Sequence, residues 1–173
     1  MELTDCIKSR RAKRLFLDKP IPSDVVEKIL EAGIYAPSAK NSQPWHFLVV
    51  SDKEKKTALA FLKEENNRDH ILSAQVVILI CVDTTKSLRR YEEGALAAGN
   101  ILLAAHNEGL GSVYLTAYKS NDDSLTDSIR ELFSLPPTIF PVAILPLGYP
   151  DITEIIDEKK LVKLKEITHF NSW

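Results

Sequence analysis

Amide and hydroxyl side chains are concentrated in residues 37–44 of this 173-residue chain, a stretch that we call the amide loop. Proline stands at both ends, and each proline fixes its own φ and biases the preceding residue away from helix. Between the prolines lie Ser38, Asn41 and Gln43, whose side chains hydrogen-bond a polar, planar partner well and pack poorly in a core. Because loops are polar by default, composition alone fits either an ordinary surface loop or a ligand-binding loop.

Cations are concentrated in residues 10–14, Arg-Arg-Ala-Lys-Arg, which we call the basic segment. The segment follows a short helix predicted over residues 3–9. Such a run can complement the negative end of a helix dipole, or form a solvated cluster or nucleic-acid patch. It can also clamp a phosphate dianion with forked arginine donors. All three interpretations fit the residues alone.

Composition narrows the class of protein. Hydrophobic residues make up 45% of the chain and charged residues 27%, which is ordinary for one globular domain with a substantial core. A net charge of −2, with no aromatic residues among the cations, argues against nucleic acid as a partner, and no apolar stretch is long enough to suggest a membrane partner. Cys6 and Cys81 lack metal-ligand spacing, and the acidic N-terminus lacks an apolar signal region. We therefore expect a cytoplasmic protein with two free thiols.

Hydrophobic periodicity predicts the elements that position these residues. An amphipathic helix should begin near Ser23 as its N-cap, a strand should occupy residues 47–50, and a charged helix should start at Asp52. Residues 64–70 are polar and aperiodic and predict a mobile surface excursion. Residues 76–82 are apolar on both faces and predict a central strand.

The second half of the chain continues the alternation of helix and strand. Residues 94–106 predict a helix that is apolar nearly all round, which makes it our best candidate for a dimer core. Within it, Asn100 and His106 are more typical of structural polar groups than of catalytic ones. Gly109 suits a left-handed helix cap, and Pro146 indicates an edge or a bulge. The remaining predicted elements are a strand at 112–115, a helix at 124–133, and a strand with its exit at 142–150.

A protein-borne catalytic centre is not evident in the sequence. The patterns C-x-x-C and G-x-S-x-G are absent, as are His-rich metal spacing and a convincing nucleophile–base pair. Such a sequence fits an enzyme in which a bound cofactor carries the chemistry and the protein supplies position and electrostatics.

Four blocks of the chain resemble the nitroreductase-like flavoprotein family. The amide loop and its flanks read A-P-S-A-K-N-S-Q-P-W-H-F, similar to the family's A-P-S-x-x-N-x-Q-P-W-x-F. The basic segment continues as R-R-A-K-R-L-F, which resembles R-R-S-x-R-x-F. Residues 93–118 and 135–150 resemble the family's G-x-x-x-x-N-x-x-L-A-A helix, G-L-G turn and L-G-Y-P, and residues 167–173 resemble its terminal v-h-y-N-x-W.

The resemblance implies the fold and the assembly. The expected fold is α+β, a three-layer α/β/α sandwich with a mixed, mainly antiparallel central sheet. Residues 1–173 would form a single FMN-binding domain, with residues 151–173 as a C-terminal tail that embraces the partner in a homodimer. The FMN sites would lie at the dimer interface.

The resemblance also implies which residues bind FMN. Arg10 and Arg11 would approach the phosphate, and Arg14 would lie near the ribityl chain and the pyrimidine edge. Ala12 departs from the family pattern, because the hydroxyl donor of the family's serine is missing there. The remaining implied cofactor-binding positions are Pro37, Ser38, Asn41 and Gln43 in the amide loop, the backbone N–H groups around Thr116 and Ala117 at flavin N5 and O4, and the tail lysines Lys159 and Lys160 at the phosphate.

The implied activity is that of an oxidoreductase with tightly bound FMN and NAD(P)H as electron donor. It would reduce nitroaromatic, quinone or similar flat electron-poor acceptors by a ping-pong mechanism. No side chain is expected to be catalytic, since the flavin carries the chemistry. Two alternatives stay open: a specialised flavin enzyme of dehalogenase, flavin-fragmenting or dehydrogenase type, and a non-catalytic flavin- or anion-binding protein.

Overall fold

A five-stranded antiparallel sheet forms the middle layer of the structure, a computed structural model that describes residues 1–153 and 159–173. The strand order is β1-β2-β5, and two short strands, β3 and β4, both pair with the other side of β5. The strands are β1 (Trp45–Val50), β2 (Val76–Asp83), β3 (Gly111–Ser112), β4 (Leu115–Thr116) and β5 (Ile139–Gly148). The helices are α1 (Leu3–Ser9), α2 (Ser23–Ile34), α3 (Lys53–Phe61), α4 (Glu65–Leu72), α5 (Arg90–Asn107) and α6 (Ser124–Phe133), with 3₁₀ turns at Ala39–Asn41 and Leu164–Glu166.

Strand β2 is central because its side chains are apolar on both faces. Ile78 packs with Ile101 of α5 on one face, and Leu79 packs with Leu59 of α3 and Ile129 of α6 on the other. All of these side chains are fully buried, and each such burial contributes about 1.5–3 kcal/mol. Helices α2 and α5 cover one face of the sheet, and α3, α4 and α6 cover the other, which confirms the predicted three-layer sandwich.

Helix α5 confirms the predicted long apolar helix and packs closely on β5. Gly94 makes this approach possible, because a Cβ atom there would lie 2.8 Å from the side chain of Val142. Ala97, Ala98 and Ile101 are buried against the sheet side. Leu96, on the other side of the helix, is 46% exposed. The chain alone therefore covers only part of the apolar surface of α5.

Pro146 accounts for the break between β3 and β4. The Ala117 N–H donates to the Val142 carbonyl at 3.1 Å, so Ala117 and Val142 form a hydrogen-bonded pair. In an antiparallel ladder every second pair is hydrogen-bonded, and in this register Val113 and Pro146 are two such steps further along. Proline has no N–H to donate, so the ladder is interrupted at that pair. The sequence prediction is corrected in two respects: Pro146 lies inside an interior strand, and the strand predicted at 112–115 is two short strands.

Two further sequence predictions are wrong. Residues 64–70 are not an irregular excursion, since they lie mostly in α4, where the fully buried Ile71 is too isolated to produce a visible periodicity. Ser23 is the first residue of α2, and Pro22, which has no side-chain acceptor, occupies the N-cap position. Asp52 does cap α3, because its side chain accepts a hydrogen bond from the Lys55 N–H at 2.8 Å.

The end of the chain lies outside the buried core. Residues 159–173 are exposed throughout, and residues 154–158 of the predicted tail fall outside the described residues. Among the helices that the structure describes, none combines the length and the apolar character that crossing a membrane requires.

Packing of α5 on β5 can be tested with two glycines of the same helix. We expect Gly94→Ala to lower the free energy of unfolding by about 1–3 kcal/mol, because the new methyl group overlaps Val142. Gly99→Ala is the matched control, since its Cβ meets nothing within 4 Å and helix propensity favours alanine by about 0.8–1 kcal/mol. Urea unfolding of both variants measures the difference, and equal stabilities would contradict the close approach.

Candidate functional site

The basic segment lies along the outer edge of β3, at the C-terminal end of α5. The Lys13 N–H donates to the Ser112 carbonyl at 3.1 Å, on the side of β3 that faces away from β5. The segment is held at its start by α1, where Ser9 Oγ lies 2.8 Å from Nε2 of His106 in α5. The cations are therefore fixed to an unpaired sheet edge.

The basic segment concentrates positive charge beside the C-terminal end of α5. Nη1 of Arg11 donates to the carbonyls of Lys8 and Arg10 at 2.7 and 3.1 Å, and Arg11, Lys13 and His106 line a cavity of about 410 Å³. Burial, with the charges of Arg10, Arg11 and Lys13, lowers the pKa of His106. Within residues 1–153 and 159–173, no carboxylate lies within ion-pair distance of these three cations. An anion bound here would be stabilised.

Thr116 lies further along the same edge, with both its backbone groups directed outward. Since Ala117 is hydrogen-bonded to Val142, the alternation of the ladder turns the N–H and C=O of Thr116 away from β5. Nζ of Lys63 donates to the Thr116 carbonyl at 2.8 Å, and the Thr116 N–H faces the edge. Ser112 and Thr116 are about 13 Å apart along the strand direction. Of the two amides predicted to face a flavin, that of Thr116 points outward and that of Ala117 is engaged within the sheet.

The amide loop has an unusual backbone. Lys40, Asn41 and Gln43 have φ values of 54°, 55° and 45°, in the left-handed region that non-glycine residues rarely adopt. Hydrogen bonds within the loop hold this shape: Ser38 Oγ accepts the Gln43 N–H at 3.1 Å, and Asn41 Oδ1 accepts from the Gln43 side chain at 3.0 Å. Such conformations cost about 1–3 kcal/mol each and cluster at ligand-binding sites.

Glu93 anchors the amide loop to the N-terminal end of α5. Its side chain is 2% exposed, and Oε1 accepts the Ala39 N–H at 2.7 Å. Among the described residues, neither Glu93 Oε2 nor Ser42 Oγ has a hydrogen-bond partner. A carboxylate in the first turn of a helix is favoured by the helix dipole, which offsets part of the cost of burying this charge.

Helix α5 keeps the two groups of predicted site residues apart within one chain. Glu93 and His106 are thirteen residues apart in this helix, so about 20 Å separates them along its axis. The basic segment and Thr116 lie on one sheet edge, whereas the amide loop lies at the other end of α5. One chain therefore brings together only part of the predicted set.

The remaining predicted residues make fewer contacts that bear on a binding site. The methyl group of Ala12 packs against the core, and Lys159 and Lys160 are exposed. Asn100 is structural, as expected, because its side-chain amide donates to the Ala32 carbonyl at 3.1 Å and ties α5 to α2. Sequence reasoning missed Glu93 and Lys63. A carboxylate at the start of an otherwise apolar helix was a usable signal for Glu93, whereas a surface-type lysine gives none.

Fold and site together define an α+β protein with an antiparallel sheet, a cationic sheet edge and a strained polar loop. Solved structures share this fold. An FMN-dependent nitroreductase from Clostridium difficile R20291 superimposes with a TM-score of 0.85 at 30% identity, covering 98% of this chain and 99% of that one. A nitroreductase-type protein from Desulfovibrio desulfuricans, solved in complex with FMN, gives a TM-score of 0.82 at 26% identity over 100% and 98% of the two chains.

The model of the Nitroreductase family matches residues 7–68 and 58–149, and this chain belongs to that family. A relative from Methanothermobacter thermautotrophicus, provisionally named NADH dehydrogenase/NAD(P)H nitroreductase, is 36% identical over 87% of this chain and 78% of its own length. The resemblance inferred from the motifs is confirmed. Its named relatives are oxidoreductases.

If Glu93 anchors the amide loop, the Glu93→Ala variant should have a less stable amide loop. The variant loses a partly buried hydrogen bond between the Ala39 N–H and a carboxylate, and we expect unfolding to be easier by about 1–3 kcal/mol. Amide hydrogen exchange of residues 38–43 should accelerate. Glu92→Ala, an exposed carboxylate in the same helical turn, is the control and should change stability by less than about 0.5 kcal/mol. Similar exchange rates in both variants would argue against the anchor.

Proposed function

We propose that the protein is an FMN-dependent NAD(P)H oxidoreductase that reduces nitroaromatic, quinone or similar flat electron-poor acceptors by a ping-pong mechanism. The observation that carries the proposal is the single sheet edge that holds the cations of the basic segment and, about 13 Å along, the outward N–H of Thr116. A planar cofactor with a phosphate at one end needs this combination of a cationic anchor and a fixed hydrogen-bond donor. The FMN named for the Clostridium and Desulfovibrio relatives supports this choice of cofactor.

The residues at this edge fit FMN chemically. Arg10 and Arg11 would hold the phosphate, which carries about −1.5 to −2 charge, and Arg14 would lie near the ribityl chain and pyrimidine edge. Since Ala12 offers no hydroxyl, one phosphate contact would come from backbone or water. The Thr116 N–H would orient the ring. When bound, FMN supplies the two-electron chemistry, taking electrons from NAD(P)H and passing them to the acceptor.

Completing the site requires a second copy of the chain. The amide loop is about 20 Å from the basic segment of its own chain, so it would contact the cofactor bound at the partner's sheet edge. If α5 of one chain packs on α5 of the other about a two-fold axis, the amide loop of each chain lies beside the basic segment of its partner. The dimer then contains two equivalent sites. An apolar face suited to this contact is present, with side chains 46–75% exposed. Its members are Leu3, Ile7, Ile34, Tyr35 and Leu96.

The tail would complete the dimer. We propose that residues 151–173 embrace the partner, with Lys160 or Lys159 reaching the phosphate. Phe170 and Trp173 are 83% and 100% exposed within one chain, which leaves large apolar side chains available for such a contact. A tail held in this way would also help to keep FMN tightly bound.

The decisive experiment is an absorption spectrum of the purified protein, followed by anaerobic addition of NADH and then NADPH. We expect flavin bands close to one FMN per chain, bleached by at least one of the two nucleotides and restored by a nitroaromatic or quinone. Bound flavin that neither nucleotide bleaches would favour the non-catalytic alternative, and turnover only of a halogenated aromatic would favour a dehalogenase. A colourless protein that takes up no added FMN would overturn the proposal.

Placement of the phosphate predicts a change at His106. The cations of the basic segment help to lower the pKa of His106, so a dianion bound among them should raise that pKa toward 6.5. An NMR titration of the histidine ring protons measures the change. Riboflavin, which lacks the phosphate, should leave the pKa of His106 unchanged. An equal effect of FMN and riboflavin would show that the phosphate lies elsewhere.

A further inference from the structure

Lys63 contacts Thr116, the residue whose N–H would be directed at the flavin ring in the proposed function. It follows α3, is partly buried, and donates from Nζ to the Thr116 carbonyl at 2.8 Å. The N–H and C=O of a residue in a strand point to the same side. The ammonium group therefore lies on the same side of β4 as the Thr116 N–H.

We propose that Lys63 is a positioning residue for the flavin: its ammonium group fixes β4 so that the Thr116 N–H points at the ring, and it adds a positive charge there. This inference rests on the proposed function. It assigns Lys63 two separable effects, one on the backbone and one on the electrostatics of the bound cofactor.

The effect on the backbone follows from the weak support of β4. The strand has two residues, and the ladder that would continue it toward β3 is interrupted at Pro146. Beyond Ala117 the chain leaves the sheet and turns through Asn121, which has a φ of 62°. On the outer side of β4, the Lys63 side chain donates a hydrogen bond to the Thr116 carbonyl. Losing it would free the strand to move outward.

The effect on electrostatics follows from burial. Burial lowers the pKa of Lys63, Glu64 opposes that change and Lys119 adds to it, so the ammonium is poorly screened by solvent. A flavin becomes more electron-rich when it is reduced. A fixed positive charge nearby stabilises the reduced form more than the oxidised form, which makes reduction more favourable.

The test compares Lys63→Met with Lys55→Met. Lys55 lies in α3 and also donates from Nζ to a backbone carbonyl at 2.8 Å, but its acceptor is Leu132, remote from the sheet edge. In protein without FMN, Lys63→Met should accelerate amide exchange at residues 115–117, and Lys55→Met should not. In protein loaded with FMN, Lys63→Met should make the flavin midpoint potential more negative and slow reduction by NAD(P)H about tenfold, with a smaller change in FMN affinity.

Two further variants separate the effects of charge and hydrogen bonding. Lys63→Arg keeps both the charge and a donor, and it should restore most of the midpoint potential and the reduction rate. Lys63→Gln keeps a donor without the charge, and it should leave the potential low even if the exchange rates recover. It also serves if Lys63→Met does not fold.

The outcomes distinguish this inference from the proposed function. An unchanged midpoint potential in Lys63→Met or Lys63→Gln, or an equal shift in Lys55→Met, would overturn the role of Lys63 while leaving an FMN oxidoreductase intact. Failure of the wild-type protein to bind FMN would instead overturn the proposed function. The exchange rates of the cofactor-free protein would then still show whether Lys63 holds β4.

Discussion

Hydrogen-bond alternation along the outer side of β5 is the constraint on which the site depends. Once Ala117 bonds Val142, every second residue of the edge strands must turn its backbone groups outward. The outward carbonyl of Ser112 then receives the basic segment, and the outward groups of Thr116 face Lys63 and the proposed ring. A shift of one residue in this register would turn all of these backbone groups toward β5 and their neighbours outward. The register of the sheet therefore determines which backbone groups are available at the site.

Because of helix α5, one chain carries only half of the proposed site at this sheet edge. Its rigid length places Glu93 with the amide loop at one end and His106 with the basic segment at the other. Gly94 lets the helix pack closely on β5, which fixes where both ends lie relative to the sheet. In the proposed dimer, a two-fold arrangement of chains would bring opposite ends of α5 together without deforming either chain. Burial of the exposed apolar face on α1, α2 and α5 would favour such an arrangement.

Sequence reasoning succeeded where the information is local. Two-sided apolarity identified β2, regular spacing identified α2, an apolar run of helical length identified α5, and unusual composition drew attention to the amide loop and the basic segment. Sequence reasoning failed where the local structure depends on a contact with a residue far away in the chain. The break between β3 and β4 depends on a proline about thirty residues away, and Glu93 and Lys63 act through contacts with residues 54 and 53 positions distant. A carboxylate at the start of an apolar helix marks Glu93 as unusual but does not name its partner, and a surface-type lysine such as Lys63 gives no sign at all before the fold is known.

Charges at the proposed site also serve the helices that carry them. Glu93 lies in the first turn of α5, and Arg11 binds carbonyls at the end of α1, so each complements a helix dipole while it faces the site. Function and stability are therefore coupled at these positions, and substitution there changes both. Lys63 differs, because it lies outside α3 and acts on the edge through one hydrogen bond. The chain can thus vary the charge beside the proposed ring at Lys63 without disturbing the helices that hold the rest of the site.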